Sequence, residues 1–354
     1  MPNPHRPPFK AIALAGCAAA MLFGHSALAQ VRNVDVSIPA GDAVLAGTLT
    51  LPEGQPKAAI VLVQGNGPHT RDQMISGARN MGLLAEALAE RGIATVRIDN
   101  SGVSQSTGER IRHFKQRIPQ IVAVVDHMAS RPEVQGLPLG ILGHSEGSMI
   151  VTEVWTQRDE PLDFVVVMGA VGLDGRTVWV DQQANPDRWT EHTPQQQAVI
   201  RAAFNSVVDA SISGDRAAVE AAVCNLFKEA GASEEEIAEN LEGFTDRMAS
   251  PEMQVFLAHD PMPVFAKVTD PVLAVWGGID PATSPAINVQ PYIVNRNPAS
   301  RLTVSVLPEE EHFFLYGEGL EPGEHKFGQM KLSPHLPNAI NQWLDNEIAL
   351  GKVQ

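Results

Sequence analysis

Leu137-Pro138-Leu139-Gly140-Ile141-Leu142-Gly143-His144-Ser145-Glu146-Gly147-Ser148-Met149-Ile150 is the stretch on which the reading of this chain turns. Leu137–Leu142 is a short apolar run, as expected of a strand buried on both faces. From Ser148 to Trp155 the apolar spacing is helical. Between the two lies G-x-S-x-G, Gly143 to Gly147. A strand that becomes a helix within so few residues strains the backbone of the central serine. Side chains at 143 and 147 would collide with neighbouring elements, so glycine stands at both. Such a turn projects the Ser145 oxygen beyond the end of the strand, above a helix N-terminus. Ser145 is the candidate nucleophile, and an ordinary strand-to-helix turn is the competing reading.

On either side of this stretch, strands alternate with helices. Ala58–Val63, Ile93–Ile98 and Phe164–Met168 are continuous apolar runs, and Val272–Trp276 and Leu302–Leu307 read as two more strands. Val34–Ile38 and Val44–Leu51, around Ala40-Gly41-Asp42, predict an opening antiparallel hairpin. Gly77–Arg91, Ile118–Met128 and Leu336–Leu350 have helical spacing. The pattern predicts an α/β fold with a mostly parallel central sheet and helices on both faces. It breaks between about Val171 and Val264, where the sequence turns polar and helical, with capping boxes at Thr193–Gln196 and Ser233–Glu236. Three or four helices inserted at about residues 172–263 would lie over the carboxyl ends of the strands, as a lid.

The 354 residues are 44% hydrophobic and 19% charged, which excludes a disordered or collagen-like chain. A formal net charge of −15 opposes binding to phosphate backbones, so no nucleic-acid partner is expected. Residues 1–29 read as a signal peptide: His5, Arg6 and Lys10, then an apolar segment, then Ala27-Leu28-Ala29 at the cleavage position. This predicts export to the periplasm or medium, with 30–354 as the mature domain. An uncleaved anchor helix and a lipoprotein acylated at Cys17, in Leu14-Ala15-Gly16-Cys17, are the alternatives. No later segment is apolar for long enough to span a membrane. The other cysteine, Cys224, reads as a small buried hydrophobe.

A serine hydroxyl needs a base to take its proton, and the base needs a carboxylate to orient it. His312 follows the strand Leu302–Leu307, in the last strand-to-helix loop, and is the candidate base. Asp280 ends Val272–Asp280 and is the candidate acid. Glu311, adjacent to the histidine, is a poorer one, although the run Glu309–Glu311 would favour the charged imidazole. His144 is expected to point away from the serine, and His69 and His113 are candidate substrate contacts. A tetrahedral intermediate needs backbone donors. The amide of Glu146 is one, and the turn Gln64-Gly65-Asn66-Gly67-Pro68 supplies the other, assigned to Asn66. No H-E-x-x-H or C-x-x-C cluster is present, so no metal or cofactor is expected.

With these residues in view, the chain resembles serine hydrolases of the α/β-hydrolase fold. It is most similar to exported bacterial members of the serine aminopeptidase and dienelactone-hydrolase-like branches. The resemblance is carried by Ala46-Gly47-Thr48-Leu49, Gly65-Asn66-Gly67-Pro68 with Arg71-Asp72, Asp99-Asn100-Ser101-Gly102-Val103-Ser104, Gly143–Gly147, Asp270-Pro271-Val272-Leu273 leading to Gly277-Gly278-Ile279-Asp280, and Leu307-Pro308 leading to His312-Phe313. It implies a triad of Ser145, Asp280 and His312, and an oxyanion hole from the amides of Asn66 and Glu146. In two places the chain departs from the family pattern: Gln64 stands where histidine is usual, and Glu309–Glu311 replaces an approach containing glycine and asparagine. The resemblance implies a small-molecule acyl substrate and hydrolysis of an ester through an acyl-enzyme, with a serine aminopeptidase or amidase as the alternative. A non-catalytic binding protein on the same fold is the remaining reading.

Overall fold

The computed structural model describes residues 31–158, 160, 162–351 and 353. Residues 1–29, read as a signal peptide, and Cys17 within them lie outside the described residues. Eight strands form the main sheet: β1 (Arg32–Ala40), β2 (Ala43–Leu51), β3 (Ala58–Val63), β4 (Ile93–Ile98), β5 (Leu139–His144), β6 (Phe164–Met168), β7 (Val272–Gly277) and β8 (Leu302–Leu307). Their spatial order is β1-β2-β4-β3-β5-β6-β7-β8. The hairpin β1–β2 and the β2–β4 pair are antiparallel, and from β4 to β8 the strands run parallel.

The alternation within a strand decides which helices cover which face. On β3, Ala59, Val61 and Val63 join a core with α2 (Arg117–Ala129) and α3 (Glu146–Gln157). Ala58, Ile60 and Leu62 turn to the other face, against α1 (Asn80–Ala89) and, late in the chain, the helix His335–Ala349. A sheet covered on both sides was expected, and the strand limits differ from the sequence reading by a residue or two at the ends.

Six helices lie between β6 and β7: α4 (Gly175–Gln183), α5 (Pro194–Ser213), α6 (Arg216–Glu229), α7 (Glu234–Met248), α8 (Pro251–Leu257) and α9 (Met262–Phe265). Three or four had been expected. The additional ones are short; α8 has seven residues and α9 four, too few to show a period in sequence. Trp179, Phe204, Val207, Val223 and Leu226 give this insertion an apolar cluster of its own. Cys224 is a free thiol there, half-buried rather than enclosed. Two capping boxes read from sequence, Thr193 with Gln196 and Ser233 with Glu236, start α5 and α7. After β7 come α10 (Pro285–Asn295) and, after β8, α11 (His335–Ala349). Among the described residues no helix is long and apolar enough to cross a membrane.

Register brings the strand ends level. Val63 pairs with Gly143, Gly143 with Val167, Met168 with Val275, and Leu307 with Gly277. The loops that leave β3, β5, β7 and β8 therefore open at one edge of the sheet.

One contact inside the sheet tests its packing. The Phe164 ring is fully buried and fills the space that Gly140 leaves on the neighbouring strand; a Cβ at 140 would lie 2.1 Å from it. Phe164→Ala should cost about 3–5 kcal/mol in urea unfolding, and Gly140→Ala alone should also destabilise. The pair together should cost less than the sum, because the smaller residue at 164 makes room for the added methyl. Additive losses would contradict this packing.

Candidate functional site

Ser145 sits at φ 55° and ψ −123°, between the end of β5 and the first residue of α3. Its amide donates to Met168 O at 3.0 Å, and its carbonyl accepts from Ser148 N at 2.8 Å. The glycines are required by space. A Cβ at 143 would lie 2.2 Å from Gly147 O, and one at 147 would lie 2.6 Å from Val63 O. The tight turn is thus wedged against the end of β3.

Asp280 and His312 leave β7 and β8, as their positions in the sequence suggested, and they meet. His312 Nδ1 is 2.8 Å from Asp280 Oδ2. Three further donors hold the carboxylate: Ala282 N at 2.7 Å, Thr283 N at 2.8 Å and Thr283 Oγ at 2.8 Å. Burial alone would raise the Asp280 pKa. The imidazole and these hydrogen bonds outweigh it and hold the group below the usual carboxylate range. An acceptor at Nδ1 places the proton there and leaves Nε2 as the basic nitrogen. His312 and Ser145 line the same cavity, of about 340 Å³.

His144 was expected to point away from the serine, and its ring is hydrogen-bonded to other groups. It is fully buried; Nδ1 accepts from Gln73 Nε2 at 3.3 Å, and Nε2 donates to the carbonyl of His312 at 2.9 Å. Burial, with the neighbouring His312 charge adding to it, lowers its pKa to about 3. It is a neutral brace for the loop that carries His312. The acidic run before that loop is also structural. Glu311 Oε1 accepts from Phe313 N at 2.9 Å and Leu315 N at 2.8 Å, and Glu310 pairs with the Ser333 hydroxyl. Glu311 thus caps the turn that follows His312.

In the loop after β3 the carbonyls of residues 64–67 are all engaged. Gln64 O and Gly65 O accept from Arg117 Nη2 and Nη1 at 2.9 and 2.8 Å. Asn66 O accepts from His69 Nε2 at 2.6 Å, and Gly67 O from Asn100 Nδ2 at 3.0 Å. Arg117 is only 3% exposed, and burial lowers its pKa to about 10, so the guanidinium stays charged. The backbone N–H groups of Asn66 and Glu146 have no acceptor among the described residues. Gln64, in place of the usual histidine, reaches Ile98 O at 2.6 Å and anchors the start of this loop. Of the candidate substrate contacts, His69 lines the cavity, whereas His113 faces a separate crevice.

The far wall comes from the insertion and was not read from sequence. Trp179, Phe256 and Met253 make it apolar, and Glu252 and Arg247 add opposite charges. An aromatic content of 5% had offered no support for an aromatic-lined site; three aromatic rings, those of Trp179, Phe256 and Phe313, nonetheless gather here. Arg117 and Thr283 also escaped the reading. Nothing local marks either one, since their partners lie on other segments or within a turn.

Comparison with known proteins agrees with this architecture. The model of the family described as serine aminopeptidase, S33, matches residues 54–223. Among solved structures, the chain is similar to a proline iminopeptidase from Mycobacterium smegmatis, at 17% identity and a TM-score of 0.52, covering 90% of this chain and 100% of that one. It is similar to Est1E from Butyrivibrio proteoclasticus with ferulic acid bound, at 16% identity and a TM-score of 0.52, covering 89% and 99%. It is also similar to the Pyrococcus furiosus esterase Pf2001, at 12% identity and a TM-score of 0.51, covering 80% and 83%. At these identities the likeness establishes the fold, that of the α/β hydrolases.

The buried His144 makes stability depend on pH. Its folded pKa of about 3 lies below the unfolded value of about 6.5. The unfolded chain therefore takes up a proton that the native state refuses, and stability present above pH 6.5 is lost as pH falls toward 3. His144→Asn should flatten the decline by about one proton, or about 1.4 kcal/mol per pH unit, in urea titrations between pH 6 and 4. An unchanged slope would show that this histidine is not held neutral.

Proposed function

We propose that this chain, which has the α/β-hydrolase fold, is a serine hydrolase that cleaves carboxylic esters through an acyl-enzyme, with Ser145 as nucleophile, His312 as base and Asp280 as the base's partner. The observation that carries this reading is the Asp280–His312 hydrogen bond of 2.8 Å at the cavity into which Ser145 opens. In the first step the Ser145 oxygen bonds to the substrate carbonyl carbon, and His312 Nε2 takes its proton. The electron pair of the carbonyl moves to its oxygen, which lies against the amides of Asn66 and Glu146. Collapse expels the alcohol, protonated by His312, and leaves the acyl group on Ser145. Water then repeats the sequence, with His312 again as base.

The helical insertion serves as a lid in this reading. Its apolar wall of Trp179, Met253 and Phe256 accommodates the hydrocarbon part of a small ester in a space suited to a modest ligand. The leader segment 1–29 directs the mature domain out of the cytoplasm. A second reading, cleavage of an amide next to a free amino group, is favoured by one observation: the carboxylate of Glu252 lines the cavity and offers a counter-charge to an ammonium. A proline iminopeptidase and esterases both occur among the similar structures.

The mature protein should turn over short p-nitrophenyl esters, and Ser145→Ala should lower kcat by about 10⁴-fold or more. Turnover by Ser145→Ala at the parental rate would end the proposal. Aminoacyl p-nitroanilides, run beside the esters, separate the two readings: preference for the anilides at comparable acyl size assigns the protein to the amide-cleaving one.

A further inference from the structure

Asn66 offers the cavity more than its backbone. Its side-chain amide stands between two carboxylates, with Nδ2 donating to Glu146 Oε2 at 2.7 Å and to Glu252 Oε1 at 3.0 Å. One acid follows the nucleophile directly. The other belongs to α8, in the insertion, and reaches the loop across 186 positions of sequence. Among the described residues this is the hydrogen bond that ties loop 64–67 to the insertion.

The tie adds a restraint from the insertion to a loop whose carbonyls are already bonded, Gly65 O to Arg117, Asn66 O to His69 and Gly67 O to Asn100. Asn66 lies between Gly65 and Gly67, and Gly67 has φ 110°, in a region open mainly to glycine. Gly65 is required by close approach, since a Cβ there would lie 3.1 Å from Ser145 Cβ. Glycine on both sides leaves the Asn66 backbone to be held by hydrogen bonds alone, those of Gly65 O and Asn66 O. The two side-chain contacts to Glu146 and Glu252 add to those bonds, and the second of them comes from the insertion. Glu252 is itself held in place, because α8 packs hard on α4; a Cβ at Gly175 would lie 1.9 Å from Phe256 O.

We propose that Glu252 is a positioning residue for the oxyanion site: by holding the Asn66 side chain opposite Glu146, it keeps the Asn66 amide aimed into the cavity, and so makes stabilisation of the anionic intermediate depend on the insertion being seated over the nucleophile. This rests on the acyl-transfer reading above. Glu252 acts through Asn66 and does not touch the reacting atoms. Its role differs from that of an amine ligand, which would matter only for substrates bearing an ammonium.

The test uses a neutral substrate, p-nitrophenyl butyrate, and a neutral trifluoromethyl ketone. Ser145 adds to the ketone carbon while the carbonyl oxygen becomes an oxyanion and His312 takes the proton. Removing one oxyanion donor costs about 10²–10³-fold in kcat, and loosening one should cost about tenfold. Glu252→Ala should lower kcat about tenfold with little change in KM, and weaken the ketone by the same factor. Glu252→Gln, which keeps an acceptor for Asn66, should recover most of both. Asn66→Ala should resemble Glu252→Ala, and the double variant should be no worse than Asn66→Ala alone. Circular dichroism melting checks each fold. If Glu252→Ala does not fold, Glu252→Asp, whose carboxylate falls short of Asn66, takes its place with the same expectation. The proposal is overturned by parental kcat and ketone affinity in Glu252→Ala, by additive losses in the double variant, by failure of Glu252→Gln to recover them, or by a loss confined to aminoacyl substrates. In each of these cases the acyl-transfer reading still stands if Ser145→Ala is inactive. If Ser145→Ala retains the parental rate, that reading falls first and takes this one with it.

Discussion

A serine held at φ 55° and ψ −123° is the constraint on which the rest of the site depends. Backbone in such a region costs about 1–3 kcal/mol and persists only when its surroundings leave no alternative. Here they leave none. The carbonyls of Val63 and Gly147 stand where side chains at 147 and 143 would go, and Met168 O takes the serine amide. The turn is therefore clamped between β3 and β6, and the direction of the Ser145 side chain is set by the sheet.

The same clamp orders the loop beside it. Gly65 can approach Ser145 because it has no side chain, and Arg117, buried beneath, draws the carbonyls of residues 64 and 65 to itself. A charged group so far from water is costly unless its hydrogen bonds are met. Two main-chain carbonyls meet part of that need, and the nearby Glu146 carboxylate favours the charge. Burial raises the Glu146 pKa while Arg117 and the Asn66 amide oppose it. Loop, arginine and glutamate thus form one electrostatic unit beside Ser145. The insertion closes it from above through Glu252.

How much of this could be read from the chain followed from how local each feature is. The strand–turn–helix around Ser145 is local, so Gly143, Ser145 and Gly147 were legible, as were the buried strands, whose apolar runs are continuous. Asp280 and His312 were found by position, each just past a strand, and register explains why position sufficed: the ends of β5, β7 and β8 lie level. Features made by contact across the fold were not legible. His144 was expected to point away from the serine, but its partners, Gln73 and the carbonyl of His312, come from 71 and 168 positions away and could not be foreseen. Glu311 looked like a neighbouring charge for the imidazole. Its carboxylate also caps two amides of the next turn, a contact that leaves no mark in the sequence. Glu252 was one acid among many in a polar segment, and only the docking of α8 distinguishes it.

The central claim is that one oxygen, one imidazole and two backbone amides converge on the same reacting carbon. The most direct test is a crystal structure of the mature protein after reaction with a fluorophosphonate, whose tetrahedral phosphorus imitates the intermediate. The account predicts phosphorus bonded to Ser145 Oγ, with its phosphoryl oxygen about 3 Å from the amides of both Asn66 and Glu146 and His312 Nε2 beside Oγ. An adduct on another residue, or a phosphoryl oxygen turned to solvent with those amides unused, would contradict it.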